Sequence, residues 1–188
     1  MMDIGLQKKT RTEACRMLNT LLADEFVLST KTKNYHWNVI GPHFRELHAL
    51  FGEQYRRLDD LIDRVAERIR ALGGKPIGTL VGFLREARLV EHPAASSAWA
   101  MVDALQHDHE ALIRDIREEL ARNSELMRDA GTTDFVTALL QEHETAAWML
   151  RSLRGKEVQL EEWLNEQARV PYRKELPAEL AASASGRG

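Results

Sequence analysis

Two histidines and two carboxylates carry the chemistry that can be read from this sequence. Within KNYHWNVIGPHFRELHALF, His36 lies five residues before Gly41 and His48 six residues after Pro42. If Gly41-Pro42 joins two antiparallel helices, positions equidistant from the turn share a height and the two imidazoles face one another. Neighbouring neutral imidazoles are a ligand pair for a transition metal, although either histidine alone also fits a core or surface role. His43 falls in the first turn of the second helix, where its expected role is to face solvent or cap a neighbouring helix. Farther along, Asp63 and Glu67 are spaced i, i+4 and share a helix face. They stand beside the apolar stripe at Ile62 and Val65, a position that costs free energy unless a cation or hydrogen bonds compensate. A solvated face shared with Arg64 and Arg68 is the plainer reading of the same spacing. Carboxylate oxygen combined with imidazole nitrogen suits iron or manganese better than a soft metal. Cys15 is the only cysteine, which excludes an intrachain disulfide and a cysteine-built zinc or iron–sulfur site.

The separation of the two pairs decides how they can act together. From His48 to Asp63 is 63 − 48 = 15 positions on what reads as one unbroken helix, or roughly 22 Å at about 1.5 Å per residue. One chain cannot close both pairs around the same ion. If the pairs form one site, the histidines of one subunit meet the carboxylates of another, and two-fold symmetry repeats that site across the interface. Oligomerisation is then a condition of activity.

Long helices must position these residues. Thr10-Arg-Thr-Glu13 fits a capping box, and Leu18, Leu21, Leu22 and Phe26 follow at helical spacing, which predicts a first helix over 11–39. Gly41-Pro42 stops it. Phe44, Leu47, Phe51, Leu58, Ile62, Val65, Ile69 and Leu72 predict a second helix of about eight turns that ends at Gly73-Gly74. The stretch that follows is too long for a hairpin and predicts one short helix over 80–88. Ser97 is the expected cap of a third helix carrying Met101, Val102, Leu105, Leu112, Ile113, Ile116 and Leu120, which dissolves near Asn123. Thr133 is the expected cap of a fourth, running through Phe135, Val136, Leu139, Leu140 and Ala146 to Leu153. Two helical hairpins joined by one long crossover describe an all-α, ferritin-like four-helix bundle with a short helix in the crossover. The expected organisation is an N-terminal tail over 1–10, the bundle over 11–154, and an extension over 155–188 that begins with one short helix and ends as a flexible tail.

At 188 residues and 44% hydrophobic content, the chain has the size and composition of one domain with a single core. Its net charge of −3 gives the whole surface no electrostatic footprint for nucleic acid. No apolar run reaches the ~18–20 residues of a membrane span, and the first residues lack the apolar core of a secretion signal, so a cytoplasmic location is expected.

The strings KNYHWNV-x-GPHF, LH-x-x-F and D-x-x-A-E-R-I-x-x-LGG, the last from Asp63 to Gly74, are similar to the signature of the Dps (DNA-binding protein from starved cells) family. Similarity continues through GTL, DHEALIRDIRE and HETAAWMLRS and covers about residues 10–154. The resemblance implies that His36 and His48 bind iron from one subunit while Asp63 and Glu67 bind it from the two-fold partner. It implies oxidation of Fe(II), with hydrogen peroxide preferred to dioxygen, and storage of ferric oxide in a dodecameric cage. Trp37 and Tyr35 flank His36 as candidate electron donors, with simple packing as the alternative. Glu125, Asp129 and Asp134 are candidates for lining iron-uptake pores, though acidic residues at a helix N-terminus are also ordinary caps. One position departs from the family, whose members usually carry Asp or Glu four residues after the second histidine, where this chain has Gly52. Glu53 is rotated about 100° around the helix from that position. One iron position per site is therefore expected intact, with the second weak, water-filled or completed by another group.

Direct DNA binding and nucleoid condensation, with weak ferroxidase activity, is the alternative function. Its support lies in Lys8, Lys9, Arg11 and Arg16 near one end and Arg173, Lys174 and Arg187 near the other. Such scattered charges give weak, salt-sensitive phosphate contacts that a cage strengthens by avidity. A di-iron centre inside each bundle is not expected, because it needs Glu-x-x-His and here Glu142 and His143 are adjacent.

Overall fold

A computed structural model describes residues 3–91, 97–122 and 128–155. Among the described residues five helices follow one another: α1 (Lys8–Asn38), α2 (Phe44–Ala71), α3 (Leu80–Glu86), α4 (Ala98–Arg122) and α5 (Ala130–Leu153). The four long ones pair as the hairpins α1/α2 and α4/α5, and α3 lies in the crossover against α1. Leu18, Leu22 and Leu28 of α1, Phe51, Val65 and Ile69 of α2, Val102, Leu105, Leu112 and Ile116 of α4, and Val136, Leu139 and Leu150 of α5 form one buried core. Among the described residues there is no strand. The helical bundle is the architecture that the periodicity predicts. The predicted helix in the extension after residue 155, and the basic residues there, lie outside the described residues.

Two turns need glycine. Gly41, at φ +112°, reverses the chain between α1 and α2, and the Phe44 amide closes the turn on its carbonyl at 3.0 Å. Gly73, at φ +83°, ends α2, with the Gly74 amide on the Ile69 carbonyl and the Gly73 amide on that of Arg70, both at 2.9 Å. This paired closure is a Schellman motif, which only a left-handed residue permits at that position.

Two local expectations, both of helix caps, fail where burial outcompetes local sequence. α1 begins at Lys8, with Gln7 in the cap position and no side-chain cap. Thr10 is buried and Glu13 pairs with Arg16 at 3.2 Å, so the predicted capping box does not form. Lys8 and Lys9 consequently belong to the helix rather than to a free tail. α5 begins at Ala130, before the predicted cap Thr133. The cap is Asp129, whose carboxylate accepts from the Thr132 amide at 3.1 Å. Phe44, the first residue of α2, is 42% exposed at the mouth of the α1/α2 turn. Ser97 does cap α4, accepting from the Ala100 amide at 3.1 Å.

The crossover is pinned to α1. Phe83 stacks on Phe26 with ring centroids 4.1 Å apart. Buried Asp24 accepts from the Arg88 amide at 2.6 Å, the Leu89 amide at 3.0 Å and the Arg88 guanidinium at 2.8 Å. Burial pushes the Asp24 carboxyl pKa up even though Arg88 and these amides pull it down.

Candidate metal centre

The α1/α2 turn brings His36 and His48 together as a stacked pair, with centroids 3.8 Å apart and planes inclined by 21°. Their bonding is reciprocal. His36 Nδ1 lies 2.7 Å from the His48 carbonyl, and His48 Nδ1 lies 2.8 Å from the His36 carbonyl. A carbonyl oxygen only accepts, so each Nδ1 carries a proton and Nε2 is the nitrogen left to bind a metal. Fixing the tautomer through the other ring nitrogen is how proteins orient histidine ligands. Tyr55 meets the His36 ring edge-on at 5.3 Å, and Phe44 lies 5.1 Å from the ring of His48. Sequence reading missed both neighbours, although Tyr55 follows His48 by 7 positions, or two turns along one face (55 − 48).

Gly52 has a positive structural reason. A Cβ there would stand 3.1 Å from Cε1 and 3.3 Å from Nδ1 of His36. The glycine makes room for the ring, and the missing carboxylate is the other face of that fit. Glu53 points elsewhere, into a cleft between α2 and α5. His43 is exposed and its Nδ1 lies 3.4 Å from Glu46.

Asp63 and Glu67 are exposed on α2, as the second pair. Among the described residues neither has a hydrogen-bond or ion-pair partner. The arginines beside them are committed to other groups. Arg64 pairs with Asp60 at 3.6 Å and lies over the Phe135 ring, while Arg68 pairs with Asp129 at 3.2 Å. Two carboxylates on one face are thus without a neutralising cation among the described residues. α2 runs unbroken from His48 to Asp63, so the two pairs stay roughly 22 Å apart at about 1.5 Å per residue. Among the described residues no three His, Cys, Asp or Glu side chains gather as a metal site.

Of the remaining candidates, Trp37 is 70% exposed and Tyr35 is buried against Phe51. Burial, with Asp108 adding to it, raises the Tyr35 phenol pKa. Asp129 is buried and fully engaged by Arg68 and Thr132, which removes it as an open pore carboxylate. Asp134 is exposed on α5, and Glu125 lies outside the described residues.

A second polar constellation sits inside the bundle. His109 of α4 and His143 of α5 approach with Nδ1 atoms 2.9 Å apart, and His143 Nε2 lies 2.7 Å from Glu25 Oε1 of α1. All three are at most 2% exposed. Burial, then the adjacent His143, hold the His109 pKa well below the usual imidazole value.

The ferritin-like domain family matches this chain over residues 15–159. A low temperature-induced protein of Nostoc sp. is 50% identical over 151 residues, which cover 80% of this chain and 84% of that protein. DNA protection during starvation protein 2 of Bacillus anthracis is 38% identical, over 74% of this chain and 95% of that protein. Among solved structures, a Dps protein of Vibrio cholerae, described as one of a broad superfamily of ferritin-like diiron-carboxylate proteins, superposes with a TM-score of 0.77. It is 32% identical and the match covers 82% of this chain and 97% of that one.

Proposed function

The chain belongs to the ferritin-like family and, within it, to the Dps proteins, and on that premise we propose that it is a mini-ferritin that oxidises Fe(II) and stores the ferric product. Ferrous iron is the substrate, held between Nε2 of His36 and His48 on one subunit and the carboxylates of Asp63 and Glu67 on its two-fold partner. The observation that carries this reading is complementarity. One end of α2 presents two imidazoles whose Nδ1 atoms are held by carbonyls and whose Nε2 atoms are left to bind, while the other end presents two carboxylates that have no cation beside them among the described residues. Anionic oxygen ligands favour Fe(III) over Fe(II) and so lower the potential of the bound ion.

Hydrogen peroxide is the oxidant we favour. Two ferrous ions give one electron each, the O–O bond breaks, and with two protons the products are two ferric ions and two waters. With Gly52 in place of a carboxylate, the second electron comes from a loosely held ion or from a neighbouring site. The assembly is a dodecamer whose two-fold contacts complete the sites. The outward apolar face of α3, where Leu80 is 67%, Val81 68% and Leu84 58% exposed, suits burial in such a contact. Asp134 and Glu125 remain candidates for the iron-uptake route. Removing ferrous iron and peroxide together protects DNA in the cytoplasm without contact. Direct DNA binding has weaker support, because Lys8, Lys9 and Arg11 are built into α1.

Complementation tests the shared site. His36→Ala and Asp63→Ala each abolish rapid peroxide-driven ferrous loss. Co-assembled at random, the two variants regain about a quarter of the sites, since half of the two-fold pairs are mixed and each mixed pair keeps one intact site. Variants that stay inactive when mixed, or single variants that oxidise iron at the wild-type rate, reject the assignment.

A further inference from the structure

We propose that the buried His109–His143 pair is a separate, single-ion site for a late first-row divalent metal such as Zn(II) or Co(II), reached through the cleft between α2 and α5. The inference stands on geometry unrelated to the His36–His48 centre and does not depend on it.

The carboxylate of Glu25, wholly buried on α1, accepts from His143 Nε2 at 2.7 Å. That bond keeps a proton on Nε2 and turns Nδ1 toward its partner, which is the carboxylate–histidine support found behind metal-ligating imidazoles. Nδ1 of His109 lies 2.9 Å from Nδ1 of His143, so a single proton bridges two nitrogens that are otherwise lone-pair acceptors. Two nitrogens at about 2.0–2.1 Å from one ion stand about 2.9–3.4 Å apart as their angle opens from a right angle to tetrahedral. A metal ion can therefore take the place of the bridging proton with small ring movements. The proton leaves through the cleft or moves to His109 Nε2.

Among the described residues, three buried polar groups around the pair have no hydrogen-bond partner. They are His109 Nε2, Glu25 Oε2 and both amide atoms of Gln54. Unpaired buried polar atoms cost free energy, and an ion on the imidazoles compensates the Glu25 carboxylate in particular. Gln54, only 5% exposed, lines the cleft together with His109, His143, Glu53, Glu142 and Arg57. Its amide oxygen is an additional donor on α2. The cleft encloses about 70 Å³, room for roughly two waters at about 30 Å³ each. Water can thus complete the coordination, while Glu53 and Glu142 give the opening an acidic lining. Two imidazoles with no first-rank carboxylate select a borderline ion over a hard one.

The test uses full-length His36→Ala/His48→Ala protein, so that the proposed iron centre has lost its nitrogen ligands and any nitrogen-bound cobalt must lie elsewhere. Equilibrium dialysis with Co(II) is expected to retain one ion per chain, with the visible absorption of nitrogen-bound cobalt. Adding His109→Leu or His143→Leu removes the absorption and weakens binding at least tenfold, and Glu25→Gln weakens it about 10–100-fold. No cobalt in the starting protein, or cobalt retained unchanged without His109 and His143, overturns the proposal. Should the leucine variants fail to fold, zinc-edge X-ray absorption on the starting protein decides. Two imidazole nitrogens support the site, and an oxygen-only shell overturns it.

Discussion

Replacing Gly52 by alanine separates the packing role of this position from its chemistry. Glycine inside a helix costs about 1 kcal/mol relative to alanine, so Gly52→Ala would stabilise α2 if the methyl group met open space. It does not: the new carbon would lie 3.1 Å from Cε1 and 3.3 Å from Nδ1 of His36. Ordinary carbon contacts are about 3.5–4.0 Å, so the ring must retreat by a few tenths of an ångström. That ring has little slack, since it stacks on His48 and its Nδ1 is tied to the His48 carbonyl at 2.7 Å. Crowding of about 1 kcal/mol, the low end for overpacking, then cancels the helix gain. The urea midpoint at fixed protein concentration should hardly move. The cost appears instead in the displaced ligand, and apparent ferrous affinity should fall about tenfold, the size of an outer-shell disturbance. The assay pairs urea unfolding with initial rates of ferrous oxidation across Fe(II) concentration at constant peroxide. A gain of the full ~1 kcal/mol with an unchanged iron dependence would refute the claim that Gly52 exists to seat His36. Gly52→Asp carries the same crowding but adds a donor, and should add a second ferrous ion to each site in anaerobic titration.

Other parts of the molecule give sharper stability tests. Lys31 and Asp108 form a buried ion pair at 2.5 Å, with residue exposures of 4% and 8%. Lys31→Met strands the carboxylate and should cost about 3–5 kcal/mol, whereas Lys31→Met/Asp108→Leu should recover most of it. Equal losses in chemical denaturation would show that the two charges do not depend on each other. Asp129→Ala removes the α5 cap and the Arg68 pair and should destabilise by about 1–2 kcal/mol, with faster hydrogen exchange confined to the first turn of α5. The depressed His109 pKa, caused first by burial, sets a pH dependence. Below its ordinary value of 6.5 the unfolded chain takes up a proton that the folded chain refuses. Stability from this group is therefore complete above that value and falls with acidification by up to about 1.4 kcal/mol per pH unit. Denaturation in EDTA across pH 5–8 should show that slope in the wild type and a shallower one in His109→Gln.

How far the sequence revealed these features depends on how near each lies to a turn whose geometry is compulsory. Gly41 and Gly73 adopt φ values that fix where α1 reverses and α2 stops, so the heights of His36 and His48 follow from counting outward. The freedom of Asp63 and Glu67 was beyond such counting, because it depends on Arg64 and Arg68 being drawn to Asp60, Phe135 and Asp129. The same counting applies to the second hairpin. His109 lies 122 − 109 = 13 residues before the end of α4, and His143 lies 143 − 130 = 13 residues after the start of α5. The pair is level for the same reason as His36 and His48. With Thr133 as the cap, His143 would have stood only ten residues in and His109 fourteen residues back from Asn123, a mismatch of about one helical turn. The cap is instead the aspartate four residues earlier, whose carboxylate also meets Arg68. A cap that is satisfied from another helix cannot be recognised from its own neighbours, and every register counted from it inherits the displacement. Periodicity held what remained of the signal, since His109 sits among Leu105, Leu112 and Ile116, and His143 among Leu139, Leu140 and Leu150. Histidines inside two facing apolar stripes need partners, and the level register of α4 and α5 makes each the partner of the other.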